Sequence, residues 1–133
     1  MGYAKSFRDL EVYKLSCDLA REIFKLSESF PKAEIYSLTS QMRNSSRSVG
    51  AQIAESWAKR RYEKHFISKL TDADGEQQET QHWIEVAGDC GYLSIEQVND
   101  MLNRYAALGR MLYTMMNKAE YFCSQVKSAI TDN

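Results

Sequence analysis

A chain of 133 residues, 44% apolar and 26% charged, is about one domain with enough apolar material for a core, which excludes wholesale disorder. Seventeen basic residues against 18 acidic ones give a formal net charge of −1, so no global field draws the protein to nucleic acid, and any such binding needs a local patch. Cys17, Cys90 and Cys123 are odd in number, far apart and without a CxxC pair, which argues against a disulfide framework or zinc knuckle.

The N-terminal residues contain no apolar run of signal-peptide type, and no window approaches the roughly eighteen apolar residues of a membrane span. A reducing cytoplasm is the expected location, with no membrane partner. Ser6 and Asp9 have capping-box spacing, and Val12, Leu15, Leu19, Ile23, Leu26 and Phe30 then recur at steps of three and four. That period predicts an amphipathic helix over about 8–29. Pro31, the single proline, disfavours helical geometry at Phe30 and turns the chain.

A second helix is expected over about 38–60, with a stripe of Leu38, Met42, Ser45, Val49, Ile53 and Trp57. Lys59, Arg60 and Arg61 mark its end, where cations suit the negative pole of the helix dipole. A third helix over about 63–89 has a seam of Phe66, Leu70, Ala73, Gln77, Thr80, Ile84 and Ala87. Gln77 and Thr80 within it read as buried or interfacial hydrogen-bonding groups that fix register. Gly91 stops that helix, Ser94 and Gln97 offer another capping box, and a fourth helix runs to about residue 122 through Met101, Tyr105, Leu108, Leu112, Met115 and Ala119. Residues 124–133 read as a polar tail. Four such helices on short turns predict an all-α chain folded as an antiparallel up-down-up-down four-helix bundle.

The order of particular residues adds a resemblance. Phe7, Asp9-Leu10, Val12-Tyr13, Phe30-Pro31, Glu34, Tyr36-Ser37-Leu38, Gln41-Met42-Arg43, Ser48-Val49 and Ile53-Ala54-Glu55 are followed by Phe66, Ala73, Gly75, Glu79, Gln81 and Gly91-Tyr92-Leu93. This order resembles the bacterial four-helix bundle proteins associated with intervening sequences in 23S rRNA genes, and their relatives, the accessory variability proteins of diversity-generating retroelements. The resemblance implies a ring-like homo-oligomer, typically a homopentamer, with no enzymatic activity and no cofactor. It also implies possible RNA, DNA or protein partners, because the retroelement relatives bind nucleic acid beside a reverse transcriptase. Gln52, Ser56 and Glu76 depart from the family's usual Asn, Gly and Ser at those places.

The cations of the second helix support two readings. Arg43, Arg47, Gly50, Ala54, Ala58 and Arg61 fall within about one helical face. In the first reading Arg43 and Arg47 pair with Asp72, Asp74, Glu76 or Glu79 of the third helix, within or between subunits, and the small residues allow close helix contact. In the second, Arg43, Arg47, Lys59, Arg60, Arg61 and Lys64 form a basic surface that a ring repeats, so that weak phosphate contacts add through avidity.

No catalytic constellation is legible. Glu79 and His82 have the spacing of two metal ligands on one helical face, but Tyr62 stands three before His65, so the second Glu-x-x-His of a di-iron bundle is missing. No thiol is placed beside a base and an orienting acid. The expectation is a non-enzyme without metal, serving as a scaffold or interaction protein.

Overall fold

The computed structural model describes residues 3–131. Among them are five α-helices and two short 3-10 turns, with no strand: α1 Glu11–Ser27, α2 Leu38–Ala58, α3 Glu63–Asp89, α4 Ile95–Asn117 and α5 Ala119–Thr131.

The capping box at Ser6 forms, but it caps a 3-10 turn over Phe7–Asp9. Leu10 is extended, and α1 begins only at Glu11, after the expected start at residue 8. Pro31 stands at φ −56° and ψ 144° and opens the second 3-10 turn, which carries the chain into α2. Phe30 does not continue α1; it is buried, with its ring centroid 5.4 Å from that of Tyr92. α3 has the expected bounds. It stops where Gly91 takes φ 76° and the Tyr92 N–H reaches back to the Ala87 carbonyl at 2.9 Å, a left-handed terminus that favours glycine. The Ser94–Gln97 capping box starts α4.

The expected fourth helix is two helices. At Lys118 the backbone departs to φ −103° and ψ 24°, and α5 begins at the next residue. Ala119 and Cys123 remain buried, and the Phe122 ring lies 5.7 Å from that of Phe66, so α5 folds over the α3 side of the core. The expected polar tail is therefore helical through Thr131; its last two positions, 132–133, lie outside the described residues.

Contacts fix the direction of each neighbour. Ser45 and Thr80 share a 2.8 Å hydroxyl hydrogen bond, and Lys69 meets Glu55 at 2.8 Å, so α2 and α3 run antiparallel. A Cβ on Gly50 would stand 3.3 Å from Ser16 Oγ, which shows how closely α2 approaches α1. Thr71 of α3 lies against Met116 of α4, and Gly88 against Val98. Leu10 and Val12, at the start of α1, share a groove with Met111 and Met115, near the end of α4. Each of α1 to α4 thus packs on two of the others around one core.

That core follows the sequence period closely. All seven expected seam residues of α3 are buried, including Gln77 and Thr80. Their polar groups are satisfied within the protomer: Thr80 also donates to the Glu76 carbonyl, while Gln77 donates to Asp74 and accepts from Gln81. Register is therefore fixed partly by hydrogen bonds that one geometry satisfies.

Candidate functional site

The six cations singled out by sequence divide into two groups. Arg43 lies in α2, whereas Arg61 stands in the turn beyond the end of that helix at Ala58; from Arg43 to Ala58 alone is about 22 Å at the rise of an α-helix. Between them Gly50 is buried against Ser16 and Tyr13, so the small-residue face passes beneath α1 instead of carrying a continuous basic stripe.

Arg43 and Arg47 lie beside α1. Arg43 Nε donates to Ser27 Oγ at 2.8 Å, and its guanidinium carbon stands 4.4 Å from the centroid of the Phe24 ring. Arg47 lies over the same ring at 5.7 Å. This corrects the expected ion pairs within a protomer: none of the acids of α3 meets either arginine in an ion pair among the described residues. The reason is angular. Ser45 is the position that faces Thr80 on α3, and Arg43 lies two residues, about 200°, away from it around the helix. The register alone would have allowed the pairing, but the face does not. What holds the arginines is cation–π attraction and one hydrogen bond from Arg43 to a neutral hydroxyl.

At the far end, Arg60 is also engaged. Its guanidinium carbon stacks 3.5 Å from the Trp57 ring centroid, its Nε donates to the Trp57 carbonyl at 2.8 Å, and a terminal nitrogen reaches Gln125 Oε1 at 3.5 Å. Burial pulls its pKa below the ordinary value, with Cys123 acting in the opposite direction. Lys59 lies in the field of Glu55, whose pKa is lowered first by the hydrogen bond from Lys69. Lys59, Arg61 and Lys64 are all exposed and without an ion pair among the described residues. Beside them Tyr62 is 57% exposed and meets the edge of the His65 ring at a centroid distance of 5.3 Å. Arg61, Tyr62, Glu63, Lys64 and His65 line one shallow depression at the α2–α3 turn.

Three aromatic participants, Phe24, Tyr62 and His65, were missed by the sequence reading. Phe24 falls outside the three-and-four stripe of the first helix, and that misfit was the available signal that it faces outward. Tyr62 stands at the N-cap of α3 and His65 in the first turn of that helix, on its exposed side beside the seam residue Phe66, so neither falls on the buried period. Glu79 and His82 are both exposed, and the His82 ring packs on Trp83 at 4.7 Å. No group of three or more His, Cys, Asp or Glu side chains converges as a metal cage among the described residues. Nor is any helix among them long and apolar enough to cross a membrane.

Comparison with known proteins places this architecture. No curated protein sequence matches the chain. The crystal structure of a protein of unknown function from the S23 ribosomal protein family of Bacteroides thetaiotaomicron VPI-5482 is similar at a TM-score of 0.71 and 24% sequence identity, covering 80% of this chain and 95% of that one. At that identity the likeness speaks to the fold. The family model of the 23S rRNA-intervening sequence protein matches residues 8–114, a span that holds α1 to α3 and most of α4 as well as all six cations. The chain belongs to the 23S rRNA-intervening sequence protein family.

Proposed function

We propose that this protein is a non-enzymatic cytoplasmic interaction protein: α1 to α4 form an up-down-up-down four-helix bundle, and protomers assemble into a homo-oligomeric ring that scaffolds a protein or RNA partner. The pentamer implied by the family resemblance is the expected size. The observation that carries this reading is the apolar surface left on the flanks and ends of the protomer. Phe24 is 41% exposed, Tyr113 66% and Ile95 72%, in a chain whose core is already filled. Single exposed apolar residues are ordinary, but several on the flanks of one small bundle favour association. Native mass spectrometry at micromolar concentration tests it. A single discrete multiple of 15.3 kDa is expected, and a monomer throughout the range would overturn the reading.

A second reading has its own observation. Arg61 and Lys64 have no ion pair among the described residues and share one depression with Tyr62, Glu63 and His65, which sets two cations and an exposed ring where a phosphate and a base could be met. A ring would repeat this end once per subunit. Binding of single-stranded RNA to the intact oligomer should weaken as salt rises, and the Arg61→Glu, Lys64→Glu variant should bind more weakly with a shallower salt slope. Binding indifferent to both salt and charge reversal removes nucleic acid from this end.

A further inference from the structure

Phe24 forms the floor of a shallow groove between α1 and α2, with Ala20 beside it and Arg21, Lys25 and Arg47 around the rim. The cations here are incompletely used. Arg21 meets Asp18, whereas Lys25, Arg43 and Arg47 have no ion pair among the described residues. Arg43 commits its Nε to Ser27, and its guanidinium carbon stands over the Phe24 ring.

The same chain carries a row of opposite sign. On α3, Asp72, Glu76, Glu79 and Trp83 fall within about 60° of helical arc. Asp72 already shares Lys69 with Glu55, but Glu76 and Glu79 have no basic partner among the described residues. Burial, followed by the neighbouring Glu79 and Asp72, raises the pKa of Glu76, so these like charges crowd one another. Trp83 extends the row with a half-buried ring.

The heights of the two rows matter as much as their signs. Ser45, midway between Arg43 and Arg47, is bonded to Thr80, so the arginines lie level with residue 80 of α3. The midpoint of Glu76 and Glu79 is two to three residues from that level, about 4 Å along the axis. Four residues separate the arginines and three the glutamates, about 6 Å and 4.5 Å respectively. A second copy set beside the first can therefore oppose the rows with little axial displacement. A contact between two different patches closes into a ring only if each step is nearly a pure rotation, and otherwise winds into a filament.

We propose that the Phe24 groove is one half of the subunit contact, and that it receives the Glu76–Glu79 row of a second copy, with Arg43, Arg47 and Lys25 pairing to those carboxylates beside the Phe24 ring. This rests on the homo-oligomer reading and names the surface that makes it. The pairing expected from sequence thus forms between copies, Arg43 using the terminal nitrogens that its bond to Ser27 leaves open. Arg–carboxylate pairs held beside an aromatic ring and shielded from water suit such an interface.

Charge reversal in both directions tests it. Arg43→Glu with Arg47→Glu, or Glu76→Arg with Glu79→Arg, should reduce the native mass to that of the 15.3 kDa protomer, and a chain carrying all four reversals should regain the wild-type mass. Circular dichroism checks that each variant is folded. Because the reversed chains could fail to fold, wild-type protein mixed from 14N- and 15N-labelled batches is also cross-linked with a carbodiimide, and mixed-label Lys25–Glu76 or Lys25–Glu79 pairs are expected. A wild-type monomer would sink both the assembly reading and this contact. An assembled wild type whose mass survives the arginine reversals, or whose mixed-label cross-links all fall elsewhere, overturns this contact and leaves assembly standing. Intact assembly with lost RNA binding in the arginine variant would assign the row to phosphate and likewise overturn it.

Discussion

Two glycines of α3 should respond in opposite ways to the same substitution. A Cβ at Gly75 would meet nothing within 4 Å, whereas a Cβ at Gly88 would stand 2.7 Å from Val98 Cγ2. In a helix interior alanine is favoured over glycine by about 0.8–1 kcal/mol, because glycine loses more backbone freedom on folding. Gly75→Ala should realise that gain. Unfolding entropy scales to about 0.28 kcal/mol per kelvin for a domain of this length, so Tm should rise by about 3 °C. Gly88 lies in the last turn of α3, where the propensity gain is smaller, and Val98 is β-branched with little rotamer freedom. Overpacking of this kind costs about 1–3 kcal/mol, so Gly88→Ala should lower Tm by about 2–10 °C. Val98→Ala added to Gly88→Ala should recover the part due to the clash. The assay is thermal unfolding by circular dichroism at matched oligomeric state. If Gly88→Ala stabilises as much as Gly75→Ala, the close approach of α3 and α4 at that point is refuted.

Three further substitutions probe other contacts. Tyr105 is fully buried, and its hydroxyl meets no partner among the described residues; burial also raises its pKa. Tyr105→Phe should therefore stabilise by about 1–3 kcal/mol in denaturant unfolding, and a loss of stability would show that the hydroxyl is bonded. Thr80→Val removes the bond to Ser45 while keeping the shape, and should cost about 1–2 kcal/mol. Adding Ser45→Ala should cost less than the sum of the two single changes, because either change alone already removes the one bond the two hydroxyls share; strict additivity argues against coupling. Glu55 has its pKa lowered by Lys69, so the folded state gains stability from this group above the ordinary carboxylate pKa and loses it as pH falls through the lowered folded value. Lys69→Met should flatten that part of the stability–pH curve, and an unchanged acid limb would assign the pH dependence to other carboxylates.

The buried face of each helix was legible because one physical cause produces both the pattern and the packing. A residue every three or four positions faces the core, and in α3 all seven residues on that period are buried. Boundaries were less legible. The Ser6 capping box predicts a helix start, but it is equally satisfied by a 3-10 turn, and only the extended Leu10 separates that turn from α1. The break at Lys118 was hidden because Ala119 and Phe122 keep the apolar period across it. A period reports which residues are covered, and it is blind to a change of axis that covers the same residues.

The cations expose a different limit. Sequence placed Arg43 and Arg47 at nearly the correct height relative to α3, yet the pairing it offered them within the chain does not form, because height follows from counting residues from a turn whereas facing depends on which way the chain goes round. A turn fixes the first and leaves the second open. Once α1 lies on the arginine side, Phe24 and Ser27 become the nearest groups, and the helix-three acids are left without those bases. Both rows then carry charge that no ion pair among the described residues neutralises. Opposite charges on one rigid body, on different faces but near one level, cannot meet each other and can meet those of a copy. The failed pairing within the chain is what makes a pairing between chains geometrically available, and it leaves Lys59, Arg61 and Lys64, around the α2–α3 turn, as cations open to a different partner.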